Sequence, residues 1–143
     1  MKTWLHWAIY LAFLAVLAAT ARADDLVDVE VVRVYDGDTI VVTVPGVPPV
    51  FGRHLRVRLR DLDAPELKGQ CPEEIAAAEK VRAELMALVR QGKRVTLQRV
   101  QRDSYFRLDA TLIIDGVDIN AHLLREGLVR PYHGAKRQPW CPS

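Results

Sequence analysis

Cysteine is scarce in this chain: its 143 residues contain two, Cys71 and Cys141. No Cys-x-x-Cys pair occurs, so a zinc ribbon or finger does not organise the fold. Long apolar runs are also lacking, since the longest, residues 8–19, falls short of the roughly 20 residues that span a bilayer as a helix. Excess charge of one sign is missing too. The 20 Lys+Arg against 18 Asp+Glu give a net charge of +2, and the first 23 residues hold Lys2, Arg22 and no acid. Without them the balance is zero, which excludes a uniformly basic nucleic-acid binder and leaves any polyanion to a local arrangement of charge. Internal repeats and low-complexity stretches are absent, so a solenoid or a linker is excluded.

What remains is 50% hydrophobic and 27% charged, the composition of one compact globular domain. Arg supplies 15 of the 20 cations, a bias that suits planar recognition of phosphate or carboxylate. Lys2, the apolar run 8–19 and the small-x-small triplet Ala21-Arg22-Ala23 read as a signal peptide over residues 1–23, with the domain at 24–143. The chain is therefore expected to be exported, periplasmic or secreted, without stable membrane association once the leader is cleaved. Two cysteines in an exported chain are the pattern of a disulfide between Cys71 and Cys141, the other reading being two unrelated thiols. Such a bridge would close a 70-residue loop.

Residues 27–35 alternate apolar and polar, break at Asp36-Gly37, and resume as a β-rich run over 39–44, a hairpin signature. The segment 45–52, with three Pro and two Gly, reads as a loop, and 54–62 alternates again. From Pro72 the period becomes helical through Ala78, Val81, Leu85, Leu88 and Val89, ending at Gly92. Strands are expected at 95–100, 110–114 and 117–119, and a short helix at 120–126. The Pro-rich remainder reads as irregular, tied down by Cys141. The fold class is mainly β with helices (α+β): an OB-fold five-stranded barrel with a helix after strand 3, an open α+β sheet being the alternative.

Taken singly, Asp36-Gly37-Asp38-Thr39 needs no explanation beyond turn geometry, and Asp63-Ala64-Pro65-Glu66 none beyond a strand exit. Taken in order, YDGDT at a hairpin, VRLRDLDAPE, a helix, RDSYFR before a strand and REGLVRPY form a set. That set resembles the staphylococcal nuclease (thermonuclease) family from about Val29 to Tyr132. GQCPEE and RPYHGAKRQPWC are similar to a secreted bacterial branch of it with cysteines at both places.

The resemblance implies an exported endonuclease that hydrolyses phosphodiester bonds of DNA and RNA, as a monomer, leaving 3′-phosphate ends. Asp38, Asp63 and the carbonyl of Ala64 are implied as ligands of Ca²⁺, a hard ion that prefers oxygen, with Asp36 close by. Glu66 matches the general base that activates water, a task that needs a carboxylate near the phosphorus. Arg58 and Arg107 match the guanidinium groups that hold the phosphate and stabilise its transition-state charge. Tyr105 and Tyr132 match aromatic positions lining the nucleotide pocket.

The chain departs from the family at several points. The stretch before the second Arg usually reads Asp-Lys-Tyr-Gly-Arg, whereas here it is Asp103-Ser104-Tyr105-Phe106-Arg107, followed by Leu108 and Asp109. Phe106 in place of Gly admits two readings: a strained turn with positive φ, or a reshaped loop in which Phe106 packs as an apolar anchor, the one preferred from the sequence. The link Leu67-Lys68-Gly69-Gln70 is short, so a flap over the site is largely missing. These departures sustain a rival function, a non-catalytic OB-fold module that binds nucleic acid.

Overall fold

The computed structural model describes residues 25–142. The leader assigned to residues 1–23 lies outside the described residues. Strands β1 (Glu30–Val34), β2 (Thr39–Thr43) and β3 (Leu55–Leu59) form the antiparallel meander expected from their alternation. The 45–52 connection contains one helical turn, α1 (Pro49–Gly52), started by proline, where the sequence suggests only loop. After β3 the alternating run breaks at Asp61, which has φ 60°, so its end becomes a separate two-residue strand, β4 (Leu62–Asp63).

Helix α2 (Pro72–Gln91) follows, with Pro72 at its start and Glu73 and Glu74 in the first turn, where the helix dipole favours acids. Strands β5 (Val95–Arg102), β6 (Leu108–Ile114) and β7 (Val117–Asp118) lead into α3 (Ile119–Arg125), which is capped by the Asp118 carboxylate accepting from the Ala121 N–H. Strand β8 (Arg130–Pro131) pairs with β4 in a region expected to be irregular; two residues are too few to show a period.

The main sheet runs in the order β1-β2-β3-β6-β5, with β3 and β6 parallel and the other neighbours on this path antiparallel. Its ends meet. The N–H of Leu26 donates to the Leu97 carbonyl at 2.8 Å, the reverse bond is also 2.8 Å, and Val29 donates to Val95 at 3.0 Å. A five-strand path curled until its edges touch, with a long helix in the chain between β3 and β5, is an OB-fold barrel. Ile40, Val42, Val57, Leu59, Leu97 and Leu112 fill its interior, and Val81 and Leu85 of α2 close one end.

The helix sits tightly on the β1–β2 turn because Gly37 has no side chain. A Cβ there would come within 2.8 Å of a Val81 methyl and 3.0 Å of the Ala64 Cβ. Any larger residue would push the turn that carries Asp36 and Asp38 away from the strand exit that carries Asp63 and Ala64.

Candidate active site

Beside the β1–β2 turn the surface is hollowed into a cavity of about 830 Å³, lined by residues from several separate parts of the chain. The β1–β2 turn contributes Asp36 and Asp38, strand β3 contributes Arg58, the exit from β4 contributes Ala64 and Glu66, and the β5–β6 turn contributes Tyr105 and Arg107. Tyr132, just after β8, completes the wall. Thus seven of the eight catalytic, metal and substrate-binding residues named from the sequence face one space. The eighth, Asp63, is 3% exposed and lies behind the lining.

Arg58 is held before any ligand arrives. Its NH2 donates to the Leu62 carbonyl at 2.8 Å and its NH1 to the Leu59 carbonyl at 3.2 Å, while Asp38 lies 3.5 Å away and the Tyr132 ring centre 5.9 Å from the guanidinium carbon. Asp36 and Asp38 stand side by side on their turn, the Asp36 carboxylate accepting from the Asp38 N–H at 3.2 Å. Burial and then the neighbouring Asp38 charge push the Asp36 carboxyl above its ordinary value. Two adjacent acids in a partly buried corner present the field that a cation would relieve.

Arg107 is organised by Asp103. One carboxylate oxygen accepts from the N–H groups of Tyr105 and Arg107 at 2.8 and 2.9 Å, and the other from Arg107 Nε at 2.7 Å. Desolvation raises the Asp103 pKa, but the bonds from Arg107 and the two backbone N–H groups outweigh it and hold the carboxyl below its usual value. The same turn corrects the anchor reading of Phe106. That residue has φ 61° and is 82% exposed, so it packs on nothing and bears the strain of a left-handed backbone. Phe106→Gly is accordingly expected to raise the thermal unfolding midpoint by several degrees, from relief on the order of 1 kcal/mol. A fall in that midpoint would restore the anchor.

Arg82 and Arg137, which the sequence pattern does not single out, also reach the cavity. Arg82 of α2 has a buried Nε without a hydrogen-bond partner. Arg137, in the tail, donates through Nε to Asp63 Oδ1 and through NH1 to Glu66 Oε1 at 2.7 Å. Burial works against its charge, yet the bonds to Asp63 and Glu66 prevail and raise its pKa. Trp140 Nε1 donates to the other Asp63 oxygen at 3.2 Å, and its ring stacks under Arg130, whose guanidinium carbon is 3.9 Å from the ring centre. The disulfide Cys71–Cys141 ties this tail to the start of α2, as expected from the cysteine count. The only sequence cue to Arg137 is two cations and a tryptophan packed into the five residues before Cys141.

The acids and carbonyls of the cavity are oxygen donors, and among the described residues no His or Cys lines it, a donor set that fits a hard divalent cation. In this conformation the carboxylates do not converge on one point. Among the described residues, the only trio of ligand atoms close enough for one ion is Cys71, Glu74 and Cys141, whose two sulfurs are already joined to each other. Engagement of Asp63 by a metal thus requires Arg137 to withdraw.

Comparison with known proteins points the same way as the cavity. The family model described as staphylococcal nuclease homologue matches residues 56–139. A Haemophilus influenzae protein named "uncharacterized endonuclease" is 31% identical over 129 residues, covering 90% of this chain and 65% of that protein. The chain therefore spans about two thirds of the length of that curated relative.

Proposed function

The chain belongs to the staphylococcal nuclease family, and from that membership we propose that it is an exported, Ca²⁺-dependent endonuclease that hydrolyses phosphodiester bonds of DNA and RNA. The observation that carries this reading is the assembly of Glu66, Arg58, Arg107 and Asp38 around one cavity from four separate elements. Export is supported by the Cys71–Cys141 bridge, which persists in an oxidising compartment.

Asp38, the carbonyl of Ala64 and, once Arg137 has moved aside, Asp63 would hold the ion. When bound, Ca²⁺ supplies neutralisation of the phosphoryl charge. Arg58 is preorganised by two carbonyls, so it grips a phosphate oxygen without first losing freedom. Arg107, aimed by Asp103, takes a second oxygen, and the pair gain most as charge builds on the transferring group. Glu66, 59% exposed at its side chain, is open to water and accepts the proton as the water attacks phosphorus in line with the leaving oxygen. Tyr105 and Tyr132 offer faces to the flanking base and sugar.

The test is cleavage of single-stranded DNA and of RNA by the purified protein, with Ca²⁺ and with a chelator. Cleavage in Ca²⁺ alone is the expected result; none in either condition overturns the reading. One observation favours the non-catalytic alternative, the hold of Arg137 on both Asp63 and Glu66. Arg137→Gln tests whether that hold opposes the metal. On the enzyme reading, removing a cation from the ligand set lowers the Ca²⁺ concentration that half-saturates cleavage several-fold, read from a Ca²⁺ titration of the rate. An unaltered titration would show that Arg137 does not compete with the metal.

A further inference from the structure

We propose that the outer face of the β1–β2–β3 meander is a second subsite, taking a single-stranded stretch of polynucleotide beside the bond that is cut. Tyr35 is its stacking platform, and Arg33 and Arg56 are its phosphate contacts. This rests on the nuclease reading for the identity of the strand.

The register builds the face. Arg33 lies opposite Val41, and Val41 opposite Arg56, so the two arginines stand on one side of the sheet, flanking β2. Tyr35, two residues beyond Arg33, shares that side. The residue is 41% exposed, with the guanidinium carbons of Arg33 and Arg56 5.2 and 4.9 Å from its ring centre. An aromatic face between two cations is the arrangement that holds unpaired bases and their backbone without regard to sequence.

The charge balance supports the assignment. The neighbouring arginines on β3 and just after it, Arg58 and Arg60, are each paired with an aspartate. Among the described residues, Arg33 and Arg56 form no ion pair, and the shallow cleft they line with Val32, Val41 and His54 contains no acid. In a domain whose net charge is zero, this face keeps two cations available.

Continuity supplies the occupant. Arg33 lines both this cleft and the catalytic cavity, and Tyr35 lines the cavity as well. Tyr35 bonds Thr39, and Thr39 lies opposite Arg58, so a strand whose phosphate rests on Arg58 reaches Tyr35 one strand away within the same cavity. Stacking on an exposed ring requires bases released from pairing, which selects single strands over duplexes.

The test uses Glu66→Gln protein, so that strands stay intact, and fluorescence anisotropy with labelled oligothymidylates of two and eight nucleotides. The octamer is expected to bind at least about tenfold more tightly than the dimer, and adding Tyr35→Ala should remove about tenfold of octamer affinity, whereas Tyr35→Phe keeps it. Arg33→Gln together with Arg56→Gln should reduce the slope of log Kd against log salt by about 1.4, or 0.7 for each phosphate no longer neutralised. An octamer advantage that survives Tyr35→Ala overturns the subsite, as does an unchanged salt slope. Displacement of the octamer by polyglutamate as readily as by unlabelled strand would assign the face to an acidic polypeptide and also overturn it. Wild-type cleavage, assayed in parallel, reports on the nuclease reading alone: octamer binding that depends on Tyr35 without any cleavage would leave the subsite standing and the enzyme reading fallen.

Discussion

Glu66→Gln is expected to lower turnover by about 10³-fold while oligonucleotide affinity stays within a few-fold of the unaltered protein, measured by single-turnover cleavage beside equilibrium binding. The amide has the size of the carboxylate but cannot accept a proton, so what it removes is general-base assistance, on the order of 10² to 10⁴ in rate. The backbone at this position stays in place, because Glu74 in the first turn of α2 accepts from the Glu66 N–H at 3.3 Å and from the Gln70 N–H at 3.0 Å. Affinity should rise if it changes at all, since a negative charge near the phosphate is removed. A drop in turnover smaller than tenfold would remove Glu66 as the base, and an equal drop in binding would make it a substrate contact instead.

Replacing both cysteines by alanine is expected to lower the thermal midpoint by about 15 °C. A bridge across a separation of 70 residues restricts the unfolded chain by roughly 4 kcal/mol in the loop-entropy model, and a domain of this size loses a few degrees per kcal/mol. The chemistry should respond differently from the stability. With the bridge gone, the tail that carries Arg137 and Trp140 is held less firmly, so half-saturation by Ca²⁺ should fall as it does in Arg137→Gln. Combining the cysteine replacements with Arg137→Gln should then add little further to the metal response, the non-additivity expected of changes acting through one interaction. A thermal midpoint lowered by less than a few degrees would mean that packing, not the bridge, holds the tail.

The site residues are legible in the chain through the family resemblance of the motifs in order, and local pattern adds only that they sit at punctuation. Asp38 follows an Asp-Gly turn, Ala64 and Glu66 flank a proline at a strand exit, and Arg58 falls on the polar side of an alternating run. Local pattern places such residues at strand ends and turns, and the fold brings those ends together around one cavity. The parallel pairing of β3 with β6 is not legible, because periodicity says which side of a strand is buried and nothing about its neighbour. Arg137 escapes for a related reason: its partners, Asp63 and Glu66, lie 74 and 71 residues away along the chain. Phe106 is an intermediate case. The sequence poses the right alternatives there, but hydrogen bonding by Asp103 decides for positive φ over burial, and that network requires the turn to be built first.

The seam that joins Leu26 to Leu97 has a consequence for biosynthesis. A ribosome releases β1, β2 and β3 long before β5 and β6 exist, so the nascent meander has neither its parallel neighbour nor its closing edge. Its apolar interior, with Ile40, Val42 and Val57, must wait for about half the chain before it can be covered. Pairings this distant in sequence form slowly once the chain is complete. During that interval the early strands are an open-edged sheet with its apolar side uncovered, the form in which a chain of this topology is most exposed to pairing with another copy of itself.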